Sequence, residues 1–89
     1  MALSAELTLI TRQGCHLCEE ASNDLARLLA RFTELYPDKP YSVEVVDVDA
    51  DPVLLDKYSE EVPVLLLNGE QVSFFRIDAD RVLAKLGDL

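Results

Sequence analysis

Leu7-Thr8-Leu9-Ile10-Thr11-Arg12-Gln13-Gly14-Cys15-His16-Leu17-Cys18 is the stretch whose reading decides the fold. It holds both cysteines of the chain, its only histidine and one of its three glycines. Leu7 to Thr11 is apolar on both faces over most of its length, as a central strand covered from both sides should be. Gly14 gives the chain a place to turn sharply. A helical pattern starts at Cys15 and runs to about Tyr36. Cys18, Ala21, Leu25, Leu28, Leu29, Phe32 and Leu35 recur at three- and four-residue steps and share one face. Glu19, Glu20 and Asp24 come early and Arg27 and Arg31 late, as the helix dipole favours.

Pro37 and Pro40 stop this helix. Tyr41 to Val48 is rich in β-branched residues and reads as a second strand. Asp51-Pro52 is a helix start, with Asp51 as cap and Pro52 at the first helical position. The short helix reaches about Ser59, and Val53, Leu54, Leu55 and Tyr58 offer its apolar side. Val64 to Leu67 is a third strand, again apolar on both faces. Asn68-Gly69 predicts a two-residue hairpin, because both residues tolerate positive φ. A fourth strand follows over Gln71 to Arg76. Asp78 caps a last helix, about Ala79 to Leu86, with Ile77 and Val82 placed as a hydrophobic staple and Gly87 as its stop. The order β-α-β-α-β-β-α predicts an α/β fold. Its first two strands are parallel, joined by a crossover, and its last two form an antiparallel hairpin. The sheet is four-stranded and mixed, flanked by helices, with strands one and three in the middle.

The 89 residues make a single domain, 1–89. Apolar residues are 49% of the chain, enough to fold without a disulfide staple. A net charge of −9 argues against nucleic acid and anionic membrane surfaces as partners. Most of the acids read as a solvated surface. No apolar run is long enough to span a bilayer, and Met1 to Glu6 lacks the basic and apolar regions of a signal peptide. The expected compartment is cytoplasmic, where a disulfide is catalytic or transient more often than structural.

The chemistry expected of the two cysteines follows from their place. The thiolate is the reactive form, and a free thiol with a pKa of roughly 8.5 is mostly protonated at neutral pH. A helix N-terminus offers unpaired N–H donors and about half a positive charge. Cys15 falls there, with Arg12 and His16 as further sources of positive potential. Cys18, one turn inside, should be more buried and titrate higher. Such a pair suits dithiol exchange, with Cys15 attacking and Cys18 resolving. A metal site is the weaker reading, because structural zinc wants four ligands and the chain offers Cys15, Cys18 and His16. The Asp47-x-Asp49-x-Asp51 run fails as a calcium loop, since Pro52 stands where glycine must be and Tyr58 where glutamate must be. His16 either tunes the thiolate or faces solvent. Tyr58, Phe74 and Phe75 are expected to be packing residues.

The chain resembles the thioredoxin-fold superfamily, and within it the small glutaredoxin-like proteins. The resemblance rests on Arg12-x-x-Cys15-His16-Leu17-Cys18, Asp47-Val48-Asp49, Val62-Pro63, the Asn68-Gly69 hairpin and the terminal helix. It implies Cys15 as nucleophile, Cys18 as resolving thiol and a cis Pro63 facing the reactive cysteine. It also implies that Val62 offers its backbone to the substrate and that Arg12 is the basic residue ahead of the active site. Two departures stand out. Cys-His-Leu-Cys replaces Cys-Pro-Tyr-Cys, and Arg76-Ile77-Asp78-Ala79-Asp80 replaces a Gly-Gly pair with following acids. Asp78 and Asp80 are candidates to meet a ligand's amino group. The expected function is thiol–disulfide exchange on protein disulfides or glutathione mixed disulfides, by a monomer served by an upstream reductant. No bound cofactor is expected, and glutathione is the candidate co-substrate. The competing reading is a non-enzymatic adaptor or redox sensor on the same fold.

Overall fold

β1 (Ala5–Thr11) lies inside a four-stranded sheet in the computed structural model, which describes residues 5–88. Met1 to Ser4, part of the stretch read for a leader, lie outside the described residues. β1 pairs in parallel with β2 (Tyr41–Asp47) and antiparallel with β3 (Val64–Leu67). β4 (Glu70–Phe74) pairs antiparallel with β3, and the order is β2-β1-β3-β4. The mixed sheet with strands one and three inside is the one the sequence predicts. Asn68 and Gly69 turn the β3–β4 hairpin at φ 51 and 85, the conformation that Asn and Gly adopt at least cost.

The period-two pattern of β1 sends Leu7 and Leu9 to one face and Ile10 to the other. The first face is covered by α1 (His16–Leu35) and α3 (Ala79–Gly87). Leu25, Leu28, Leu29 and Phe32 of α1 meet Val82 and Leu86 of α3 in the larger core. Ile10, Val48 and Val64 form a smaller core on the opposite face, under α2 (Pro52–Tyr58). Each fully buried aliphatic or phenyl side chain here contributes roughly 1.5–3 kcal/mol relative to exposure.

The structure departs from the sequence reading at five places. β2 ends at Asp47, and Val48–Ala50 form a 3-10 turn that buries Val48. Asp47 forces the exit, because its Oδ1 accepts from Asp49 N at 2.9 Å. In α2 only Leu54 and Tyr58 pack on the small core, while Val53 and Leu55 are exposed. Leu54 and Tyr58 are one turn apart, whereas the two neighbours of Leu54 are rotated by about 100° to either side. β4 stops at Phe74, because Phe75 takes φ 61 and cannot continue a strand. Phe74 and Phe75 are exposed rather than packed. Tyr58, by contrast, packs as expected.

The fifth departure is Gly87, which lies inside α3 instead of terminating it. A Cβ there would stand 2.7 Å from Tyr36 Oη and 3.2 Å from Cζ. The Tyr36 ring has little room to retreat. It meets Phe32 edge-on at 5.5 Å, and Lys39 Nζ sits 5.0 Å from its centroid. Lys39 Nζ also donates to Gly87 O at 2.8 Å. Gly87 is therefore needed for close approach, not for a left-handed cap.

Two stability predictions follow from these contacts. Gly87→Ala should lower the urea midpoint, although alanine is the better helix former by about 1 kcal/mol, because overpacking costs about 1–3 kcal/mol. The loss should shrink in a Tyr36→Phe background, and an unchanged loss there would contradict the clash. Asp51 caps α2 by accepting from Val53 N at 2.9 Å, so Asp51→Ala should destabilise by about 1 kcal/mol in the same assay.

Candidate functional site

Four strands bring their relevant ends to one edge of the sheet. Thr11, the last residue of β1, pairs with Asp47, the last of β2. Ile10 pairs with Val64, the first residue of β3, and Val64 with Phe74, the last of β4. The turn Arg12-Gln13-Gly14 leaves from this edge, with Gly14 at φ 72. A side chain at Gly14 would be strained there.

Cys15 is the N-cap of α1, in extended conformation at φ −96 and ψ 110. Its Sγ accepts from Cys18 N at 3.1 Å, the place usually taken by a serine or aspartate oxygen. The two cysteines are joined at disulfide distance, with Cα atoms 5.2 Å apart. Cys15 is half-buried, while Cys18 is 5% exposed and sits on the core-facing side of α1. The first turn thus carries a half-buried cysteine whose sulfur is held by a backbone N–H and a more deeply buried cysteine behind it. Cys15, Cys18 and Arg12 line a shared cleft of about 260 Å³ with Gly14, Glu19 and Val45.

Arg12 turns its guanidinium toward the β2–α2 connection. Nε and Nη2 each donate to an Asp49 carboxylate oxygen at 3.2 Å, and Nη1 donates to Ser59 O at 3.2 Å. The pair is half exposed, so its net contribution is about 1 kcal/mol at most. Its geometric effect is larger, because one side chain ties the cysteine turn to the segments before and after α2. His16, 82% exposed, points away from the sheet toward Glu20 Oε1 at 3.4 Å and Glu19 Oε2 at 4.0 Å. Val62-Pro63 is a cis peptide. Pro63 is fully buried, Val62 packs on the small core, and the pair precedes Val64 at the same sheet edge.

Asp78 is placed elsewhere. It caps α3 by accepting from Arg81 N at 3.3 Å. It lines a separate groove of about 490 Å³ with Glu61, Ser73, Phe74, Arg76 and Arg81, and neither cysteine borders it. The structure therefore brings Cys15, Cys18 and Arg12 together and holds Asp78 apart from them. The sequence reading makes Phe74 and Phe75 packing residues and gives Arg76 and Arg81 no role at a site. A signal for them was present: two adjacent aromatics cannot both face one core from a regular strand. No three His, Cys, Asp or Glu side chains converge as metal ligands among the described residues. No helix among them is long and apolar enough to cross a membrane.

With this geometry, the chain can be set beside known proteins. It is 28% identical over 86 residues to an uncharacterized protein of Mycobacterium tuberculosis, covering 91% of this chain and 81% of that one. A structural-genomics target protein from X. campestris superposes with a TM-score of 0.68 at 32% identity, over 93% of this chain and 97% of that one. The first thioredoxin domain of mouse protein disulfide-isomerase A4 shares the fold, with a TM-score of 0.62 at 17% identity over 94% of this chain and 61% of that one. A family model described as a glutaredoxin-like domain (DUF836) matches residues 6–87. The chain, a thioredoxin-like fold with a paired Cys-x-x-Cys at the head of its longest helix, belongs to that glutaredoxin-like family.

Proposed function

We propose that the chain is a thiol–disulfide oxidoreductase of the cytoplasm, with Cys15 as nucleophile and Cys18 as resolving thiol. The observation that carries this reading is the asymmetry of the pair. Cys15 is half-buried and its Sγ accepts the Cys18 N–H at 3.1 Å, and Cys18 is more deeply buried one turn behind. In the reduced pair, a hydrogen bond and a helix N-terminus at Cys15 would both favour the charged form of its thiol, whereas burial would disfavour that form at Cys18.

The exchange balances as follows. The Cys15 thiolate attacks one sulfur of the substrate disulfide, and the other substrate sulfur leaves as a thiolate. The Cys18 thiolate then attacks Cys15 Sγ, and the first substrate sulfur leaves. Two electrons pass to the substrate, its two thiolates take up two protons, and the protein is left with the Cys15–Cys18 disulfide. An upstream dithiol restores it by the reverse route. Val62 lies outside the strand ladder, which begins at Val64, and its backbone borders the incoming substrate chain. Arg12 holds the cysteine turn in place through Asp49 and Ser59. The substrate is a protein disulfide, with a glutathione mixed disulfide as competitor and glutathione as co-substrate in that case.

Thiolate absorbance distinguishes the two sulfurs. The single thiol of Cys18→Ser should titrate at lower pH than that of Cys15→Ser, and matching titrations would sink the assignment. The reduction rate of the native chain should rise with pH as Cys15 ionises and then level off. Cys15→Ser should lose reduction of both protein and glutathione disulfides, whereas Cys18→Ser should trap the mixed disulfide. A chain inactive on both substrates would be an adaptor or redox sensor instead.

A further inference from the structure

β2 is the outermost strand on its side of the sheet, so its outer backbone edge pairs with no strand among the described residues. Tyr41, Val43 and Val45 stand level with Ala5, Leu7 and Leu9 and share their face, the one under α1. They are nevertheless 41%, 40% and 61% exposed. A groove of about 450 Å³ separates them from α1, with Leu25 and Leu29 along it. α1 lines it with Ser22, Ala26 and Ala30, one turn apart, and these small side chains leave it open. Tyr41 is anchored at one end by the Phe32 ring, with centroids 6.0 Å apart. Edge strands are usually blunted by proline, lysine, a bulge or a covering segment. β2 contains no proline or lysine, and its ladder with β1 runs from Tyr41 to Asp47 without a shift. Such an edge is a template for another strand.

The strand that fits this edge best is its own copy. Tyr41-Ser42-Val43-Glu44-Val45 alternates apolar and polar in the same way from either end, with Val43 at the centre. An antiparallel copy centred there sets Val43 against Val43 and Tyr41 against Val45, so every apolar side chain on the α1 face meets another. On the opposite face it sets Ser42 against Glu44, a hydroxyl donor against a carboxylate acceptor. Neighbouring registers lose this match. Centred on Glu44, the pair opposes two carboxylates and puts Tyr41 against Asp47. Centred on Val45, it puts Val43 against Asp47. The extent is sufficient as well. The seven residues of β2 span about 23 Å, and sheet plus helix layer stand roughly 20 Å high. That gives about 500 Å² per copy, or about 1,000 Å² in total, the least that a specific interface needs.

We infer that β2 is the interface for a second copy of this chain, paired antiparallel about Val43 so that one sheet runs through both copies. This dimer replaces the monomer expected from the sequence. It is isologous, since each copy offers the other the same strand. The interface reaches the cysteines, because Ser22 and Val45 line both the groove and the cysteine cleft. Tyr41 of the partner subunit, level with Val45, therefore stands at the rim of that cleft. Each copy carries a net charge of −9, so the two repel at long range and association strengthens as salt screens them.

Sedimentation velocity of the full oxidised chain, from micromolar to millimolar concentration, tests it. The native chain should pass from monomer to dimer, at lower concentration as salt rises toward about 0.5 M. Val43→Glu and Val43→Lys each set two like charges against one another, so each alone should dimerise about 10-fold more weakly or worse. Mixed in equal amounts, they oppose unlike charges and should recover the dimer, which no partner other than a second copy would produce. Val43 is 40% exposed, so both variants should keep the cooperative melt of the native chain. If either fails to melt cooperatively, Val45→Lys at the more exposed position takes its place and should also lose the dimer. A native chain monomeric throughout overturns the inference and leaves the β2 edge to an extended segment of another protein. A dimer that the variants retain forms through another face, and it overturns the inference too. So does a mixture that stays monomeric, because Val43 then does not meet Val43. Disulfide exchange enters none of these readouts, so the proposed function stands or falls separately.

Discussion

The position of β1 between β2 and β3 is the constraint on which the rest depends. Its register is fixed on both sides, with Ile10 level with Val46 on one neighbour and Val64 on the other. A slip of one residue would turn Leu7 and Leu9 out of the larger core and expose them all at once. The burial of those residues therefore sets where β1 ends. That end, in turn, sets where the cysteine turn begins, and that the cis Val62-Pro63 segment enters the sheet beside it. The site needs no dedicated scaffold. It is the place where a parallel crossover and an antiparallel hairpin share a central strand.

The acidic residues close to this edge are less diffuse than a solvated surface. Asp47 ends β2 by bonding Asp49 N, Asp49 holds Arg12, Asp51 caps α2 and Asp78 caps α3. These four carboxylates each satisfy a specific donor that would otherwise be left to water. The Asp47-x-Asp49-x-Asp51 spacing that invites a cation reading is thus explained by two turn starts and an ion pair. Arg12 is the point where the acidic connection and the cysteine turn meet. It acts through position, since its charge is matched by Asp49.

Much of this was legible in the sequence because it is encoded locally. Asn68-Gly69, Asp51-Pro52, Asp78 and Gly14 each state a backbone conformation within two to four residues, and the structure has them where they were read. The cysteine pair was legible for the same reason, a spacing of three on a helix start. What was not legible depends on distant partners. Whether Val43 and Val45 are covered depends on how far α1 leans over β2, and the structure leaves them exposed. Whether Gly87 is a stop or a contact depends on Tyr36, far away in sequence. Phe75 reads as strand by propensity, and a backbone bond to Glu61 outweighs that preference.

Cysteine at the helix cap joins the fold to the chemistry. Oxygen is the better acceptor, and Ser, Thr, Asp and Asn are the preferred caps. A neutral thiol or a disulfide sulfur is a weak acceptor, whereas a thiolate brings full charge to the positive end of the helix. The Cys18 N–H therefore rewards one state of Cys15 over the others. In the exchange proposed above, stabilising the thiolate would stabilise the reduced pair against the disulfide and move the couple toward the oxidising side. Glu19 and Glu20 on the first turns would push the other way, but they are exposed, beside His16, and screened by water and salt. Cys18 N lies 3.1 Å from Cys15 Sγ in the paired form, and a direct bond to the thiolate at that range would outweigh screened charge farther off. On the proposed function, the identity of the cap atom, rather than the overall acidity of the chain, would thus set the bias of the pair.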